Sequence, residues 1–136
     1  MKTHRQALGA WGEDLAAAYL EQSGYAILER NARTEYGEID LVARQLDPKA
    51  GLGLHGSAGP GEVIVFVEVK TRRSTAYGLP EEAITSHKRD HMLASAQAYI
   101  QAHPELIATW RIDVIAIQCV PSPGQPRITH FENAVS

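Results

Sequence analysis

The chain has 136 residues, 44% of them hydrophobic and 21% charged, with a formal net charge of -3. That length suits one domain over residues 1–136 and buries roughly two-thirds of the unfolded surface, and the composition is that of a folded globular protein, not of a disordered tail. The negative balance excludes a module that grips nucleic acid by bulk charge, so any such role must rest on local patches.

Residues 4–23 read as a helix, with Leu8, Trp11, Leu15 and Tyr19 at helical spacing and Gly24 where a cap belongs. The segments "YAILERNAR" and "GEIDLVARQL" read as two strands with Gly37 in the turn between them. Residues 47–61, "DPKAGLGLHGSAGPG", are rich in glycine and proline and predict a flexible loop. The strand "EVIVFVEVKTRR" follows, and after "STAYGLPEEAI" a second helix is predicted from Thr85 or Ser86 to His103, stopping before Pro104. "WRIDVIAIQCV" is a further strand, "PSPGQ" a turn, and "RITHFENA" a final short strand. The order predicts an α/β fold, a mixed sheet with helices packed against it. A lone cysteine, Cys119, forms no intrachain disulfide, and no signal-peptide pattern is seen. The expectation is therefore a cytoplasmic protein. No apolar run reaches the roughly 20 residues of a membrane span.

Alternation on the strand 62–73 puts Val63, Val65, Val67 and Val69 on one face and Ile64, Phe66, Glu68, Lys70 and Arg72 on the other. Both faces begin apolar, so the strand is predicted to be central, with one face turning ionisable towards its end. On the preceding strand the same rule puts Ile39, Leu41 and Ala43 on one face and Glu38, Asp40 and Val42 on the other. In an antiparallel hairpin Asp40 comes beside Glu68. Two adjacent carboxylates repel and are costly to desolvate, a cost that a cation between them removes. Mg²⁺ suits one or two carboxylates and leaves positions for water and phosphate oxygens. A plain Glu68–Lys70 ion pair with a solvated Asp40 is the competing reading of the strand pattern.

Taken together, "GAWGEDLAAAYL", "GYAILERNAR", "GEIDLVA", "VFVEVKTR", "YGLPEEAI" with Lys88, "RIDVIAI" and "ITHFENA" cover nearly the whole chain. "GEIDLVA" followed by "VFVEVKTR" resembles the PD-(D/E)xK pattern of restriction-endonuclease-like nucleases. The full set resembles the YraN family of predicted bacterial endonucleases, distantly similar to archaeal Holliday-junction resolvases. The resemblance implies a restriction-endonuclease-like mixed central sheet flanked by helices and a metal-dependent nuclease acting on DNA of branched or single-stranded character. It implies Asp40 and Glu68 as ligands of Mg²⁺ or Mn²⁺, with the Val69 carbonyl a further ligand and Glu13 completing the site. Lys70 would orient or deprotonate the attacking water and offset charge on the phosphate. Resolvase relatives work as two-fold dimers, which makes a homodimer an expectation. The pattern departs from the family at Ile39, where proline is usual, and at Ala32, where a large aromatic is expected.

Some residues keep two readings at this stage. Glu13 falls off the large apolar stripe and shares a side with Gly9, Ala16, Ala17 and Leu20, so it either faces solvent or rides a helix that approaches another element closely. Lys88 either snorkels along the core edge or reaches a phosphate from the helix N-terminus, with Arg72, Arg73 and Arg89 forming a local basic rim. His87 and His91 have the spacing of paired zinc ligands without the intervening glutamate or a third ligand, and read as solvated histidines. The glycine-rich segment lacks the Gly-Lys-Ser/Thr ending of a nucleotide-cradling loop. Asp113 is either an outlying acid of the site or an edge residue. The rival to an enzyme is a nucleic-acid- or partner-binding module whose nuclease site is silent.

Overall fold

A strand that is apolar on both faces needs cover on both sides, and the fold supplies one helix to each. The computed structural model describes residues 3–46, 62–73, 85–106, 109–119 and 124–135. The predicted segments 47–61 and "STAYGLPEEAI" up to Ile84 lie outside these residues. In chain order the elements are α1 (His4–Gln22), β1 (Tyr25–Thr34), β2 (Gly37–Leu46), β3 (Glu62–Arg72), α2 (Ser86–Ala102), β4 (Thr109–Gln118) and β5 (Arg127–Val135). They follow the predicted order. The strands form one mixed sheet in the order β1-β2-β3-β4-β5. The pair β3–β4 is parallel and its chain returns through α2, whereas the other neighbours are antiparallel. This is the mixed α/β architecture expected of a restriction-endonuclease-like fold. No helix among the described residues is long and apolar enough to cross a membrane.

Each helix begins on a side-chain cap. Thr3 Oγ1 accepts the Gln6 N–H at 3.1 Å while Gln6 Oε1 accepts the Thr3 N–H at 2.9 Å, a reciprocal pair that satisfies two free donors. Thr85 Oγ1 accepts the Lys88 N–H at 3.2 Å. The chain leaves α1 through Gly24, whose φ of +93° favours glycine.

Two cores lie on opposite faces of the sheet. Leu41, Ala43, Val65, Val67, Ile115 and Ile117 pack against Ala16, Ala17 and Leu20 of α1. On the other face Val42, Ile64, Phe66 and Ile112 meet Ala96 and Tyr99 of α2. The fully buried side of α1 is thus its small-residue side, with Leu15 and Tyr19 of the large stripe packed partly buried at its margin and Trp11 exposed. Ala32 is buried on the α2 side beside Ile39. A Cβ built on Gly12 would lie 2.0 Å from Thr71 Oγ1 and 3.1 Å from Thr71 Cβ. The glycine therefore sets how closely α1 approaches the end of β3. Gly12→Ala is expected to lower stability by about 1–3 kcal/mol despite alanine's better helix propensity. Thr71→Ala in the same chain should recover part of that loss in urea melts, and an unchanged Gly12→Ala midpoint would contradict the close approach.

The feature that creates the site is a fork. Pairing of β2 with β3 runs from Leu46↔Glu62 to Leu41↔Val67 and ends there. β2 stays paired with β1 down to Gly37, and β3 continues along β4 to Arg72↔Gln118. The predicted alternation on β2 fails at this point: Ile39 joins Val42 in the α2-side core, while Leu41 lies in the α1-side core. The partner strand does the same, since Arg30 reaches Asp14 on α1 whereas Ala32 packs on the α2 side. The hairpin turns over between these pairs. Asn31, at a left-handed φ of +53°, marks the spot, and asparagine is among the few residues that tolerate that conformation.

Candidate active site in the fork between two strands

Successive residues of a strand direct their N–H and C=O to alternate neighbours. The even residues of β3 face β4, as the bond from Cys119 N–H to the Arg72 carbonyl at 2.8 Å shows, and the odd ones face β2. By the register, Val69 would pair with Ile39 had β2 continued. Instead Asp40 Oδ2 accepts the Val69 N–H at 2.8 Å. The carboxyl thus stands in for a lost strand, in the plane of the sheet, and the Val69 carbonyl faces the same opening.

Glu68 comes to the opening from β3, where its carboxyl and that of Asp40 are close enough to influence each other's charge. Its Oε1 lies 3.1 Å from Lys70 Nζ and 3.7 Å from Lys88 Nζ. Lys70 is buried. Burial, then the neighbouring Glu68, and more weakly Glu13 and Glu38, push Asp40 up to about 7 against the opposing Val69 N–H. Burial also raises Glu68, countered chiefly by Lys88. Glu68 has two ammonium groups beside it, which favour its charged form over that of Asp40.

Glu13 reaches the same region from α1. With its amide turned to donate, Asn31 gives hydrogen bonds to Glu13 Oε1 at 3.1 Å and Glu38 Oε1 at 2.9 Å. Burial raises the Glu13 carboxyl, with Arg30 opposing. Among the described residues, no group of three or more His, Cys, Asp and Glu side chains is arranged to hold a metal. Asp40 and Glu68 are therefore a carboxylate pair with Glu13 standing further off. That is still a fit for Mg²⁺, which binds through one or two carboxylates and keeps waters.

The sequence singled out Asp40, Glu68, Lys70, Val69, Glu13 and Lys88, and the fold gathers them around the fork. Lys88 does more than cover the core edge, because its ammonium turns to Glu68. Arg72 has the parity of Glu68 and Lys70 one step further along β3, and Arg73 is exposed at its end. Asn31 and Glu38 were missed, and an asparagine within a strand pattern was the available signal. His87 and His91 are exposed and pack edge to face at 4.4 Å, and His91 Nδ1 bonds the Tyr36 carbonyl at 3.0 Å. Asp113 is neither an outlying acid of this site nor an edge residue. It lies on an interior strand, opposite Val67 on the α1 side, and is fully buried. Burial alone would raise its carboxyl, but hydrogen bonds from His130, Arg111 and the Asn133 N–H hold it below its usual range.

The chain is similar along nearly its whole length to curated bacterial proteins. It is 43% identical over 127 residues to a UPF0102 protein of Syntrophomonas wolfei, covering 93% of this chain and 96% of the relative. It is 44% identical over 131 residues to one of Geobacter sulfurreducens, covering 96% and 90%, and 38% identical over 135 residues to one of Dehalococcoides mccartyi, covering 99% and 98%. A family profile matches residues 12–117, a span that begins at the glycine seated on Thr71 and takes in the entire fork. The chain belongs to that family, described as uncharacterised protein family UPF0102.

Proposed function

We propose that the protein is a metal-dependent nuclease that hydrolyses phosphodiester bonds of DNA, on branched or single-stranded substrates. One observation carries this reading: the half-buried Asp40–Glu68 pair and the buried Lys70 converge where β2 and β3 part, with Asp40 held in place by the Val69 N–H. Asp40, Glu68 and the Val69 carbonyl would hold Mg²⁺ or Mn²⁺, with Glu13 acting through a water. The bound ion supplies Lewis-acid polarisation of the phosphate and a more acidic water. Lys70 orients the attacking water and places a fixed positive charge where the pentacovalent phosphate becomes more negative. Lys88, Arg72 and Arg73 take phosphates on either side. Two copies could work as a homodimer on a two-fold substrate.

A silent binding module draws support from a different observation. Lys70 and Lys88 already offset Glu68, and a proton on Asp40 removes the remaining repulsion, so the cluster is satisfied without an ion. Divalent metal separates the two readings. Millimolar Mn²⁺ is expected to raise the melting temperature of the wild type by several degrees at pH 8, through binding to the folded state alone, and to leave Asp40→Asn unmoved. Labelled duplex, single-stranded and four-way-junction DNA incubated with Mn²⁺ should reveal cleavage, which Lys70→Ala lowers about a hundredfold with DNA binding preserved. No melting shift and no cleavage of any of these substrates would leave the binding module in its place.

A further inference from the structure

Beside the acid pair lies a cleft of about 210 Å³, between the start of β2 and the first half of α2. Its floor is formed by Ile39, Phe66 and Ile112, and Glu68 and Lys88 close one end. Tyr36 stands in its wall and is 46% exposed, the most exposed large hydrophobic among the described residues. The backbone that carries this ring is fixed three ways. Tyr36 N–H donates to Thr34 Oγ1 at 3.1 Å, Thr34 Oγ1 donates to the Gly37 carbonyl at 2.8 Å, and His91 Nδ1 donates to the Tyr36 carbonyl at 3.0 Å. Among the described residues, the 46% exposed ring of Tyr36 thus stands on a fixed backbone at the mouth of the cleft.

We infer that this cleft takes the unpaired base of a nucleotide whose phosphate lies at the neighbouring acid site. The inference rests on the nuclease reading for the position of that phosphate and narrows its substrate class to DNA with an unstacked base. The volume is below the roughly 300–1,000 Å³ of a pocket for a drug-sized ligand, which suits one flat ring system. An occupant must combine an apolar face for Phe66 and Ile112 with an anion next to Lys88, and a nucleotide joins these two features at the distance of one sugar. Tyr36 provides a stacking platform indifferent to base identity. His91 and Ser95, which also line the cleft, offer hydrogen-bonding groups to the base edge. A base within a duplex is paired and stacked and does not enter.

The test is fluorescence anisotropy in EDTA with three labelled probes of equal length: oligothymidylate, an oligomer abasic at every position, and a duplex. The wild type is expected to bind thymidylate about tenfold more tightly than the abasic oligomer. Tyr36→Ala should lose that tenfold preference without changing affinity for the abasic probe or the duplex, and Tyr36→Phe should retain it. A wild type that does not distinguish thymidylate from abasic probe overturns the inference, as does a Tyr36→Ala protein that keeps the preference or weakens on all three probes alike. Turnover plays no part in the measurement. A protein with this binding pattern and no cleavage keeps the base cleft and loses the hydrolase, while one that cleaves without the pattern keeps the hydrolase and loses the cleft.

Discussion

Asp40→Asn is expected to melt about 5–10 °C above the wild type at pH 8 without divalent metal, with the gap closing as the pH falls from about 7 towards 4. The folded protein raises the Asp40 carboxyl from 3.8 to about 7, by burial first and then by Glu68. Between those values the folded state binds more protons than the unfolded chain, so stability falls as pH rises through the window. Below the unfolded value both states are protonated and the cost vanishes; above the folded value it is complete. A shift of about three units sets a ceiling of about 4 kcal/mol. Glu68 is raised too, which adds in the same direction. Asparagine removes the charge and keeps the one bond Asp40 makes, because its carbonyl accepts the Val69 N–H, and its amide offers a donor on the side of Glu68. Even half of the ceiling moves the melting point of a chain this size by several degrees. An Asp40→Asn protein that melts at or below the wild type at pH 8 would mean that the two carboxyls are not in strain. On the proposed metal-dependent reading, the same substitution that stabilises the metal-free protein abolishes any response to Mn²⁺, so the two effects test the carboxylate pair and the metal reading together.

The strand 62–72 announced its own geometry. Parity alone put Glu68 and Lys70 on one face, beyond an apolar stretch that had to be central. The second helix was equally legible, since Thr85 and Pro104 bracket it and it runs from Ser86 to Ala102. Asp40 was found beside Glu68, but the alternation assigned to its strand was wrong, because a fixed period assumes that the strand does not turn over. Asn31 breaks that assumption with one left-handed residue on the neighbouring strand, a long-range effect on which the segment 37–46 carries no mark of its own. The side of α1 that meets the sheet was left open in the sequence for a different reason, and the close-approach reading of its small residues is the one the fold takes. The large residues Leu8, Trp11, Leu15 and Tyr19 make the more conspicuous stripe, yet small residues are what permit close approach, and Gly12 sits against Thr71 with no room for a Cβ. That approach brings Glu13, the next residue, to the fork. The candidate site was thus readable in its residue types and only partly in their placement.

Asp113→Ala is expected to cost about 3–5 kcal/mol, because it strands charged and polar partners that the fold has already desolvated. Asp113 Oδ1 accepts from Arg111 Nε at 2.9 Å and from the Asn133 N–H at 2.8 Å, and Oδ2 lies 2.7 Å from His130 Nε2. His130 Nδ1 in turn meets the Tyr19 hydroxyl of α1 at 3.1 Å, and Arg111 reaches the Tyr25 hydroxyl at 2.9 Å. The acid therefore ties β4, β5, β1 and α1 together from inside the sheet, on the face away from Lys88. Asn133 sits at a φ of +51° and presents its N–H to Asp113, so the left-handed turn in β5 depends on the same carboxylate. Asp113→Asn should fall between alanine and wild type, since an amide can accept from Asn133 but offers no charge to Arg111. A double change, Arg111→Met with Asp113→Leu, should recover part of the loss by removing the stranded cation. Urea denaturation of the four proteins measures all of this, and a loss below about 1 kcal/mol in Asp113→Ala would show that water enters to replace the carboxylate. Because α1 carries both Tyr19 and Glu13, the alanine variant should also loosen the helix that delivers Glu13. Amide exchange in residues 12–20 should then speed up, while Lys70→Ala leaves it unchanged.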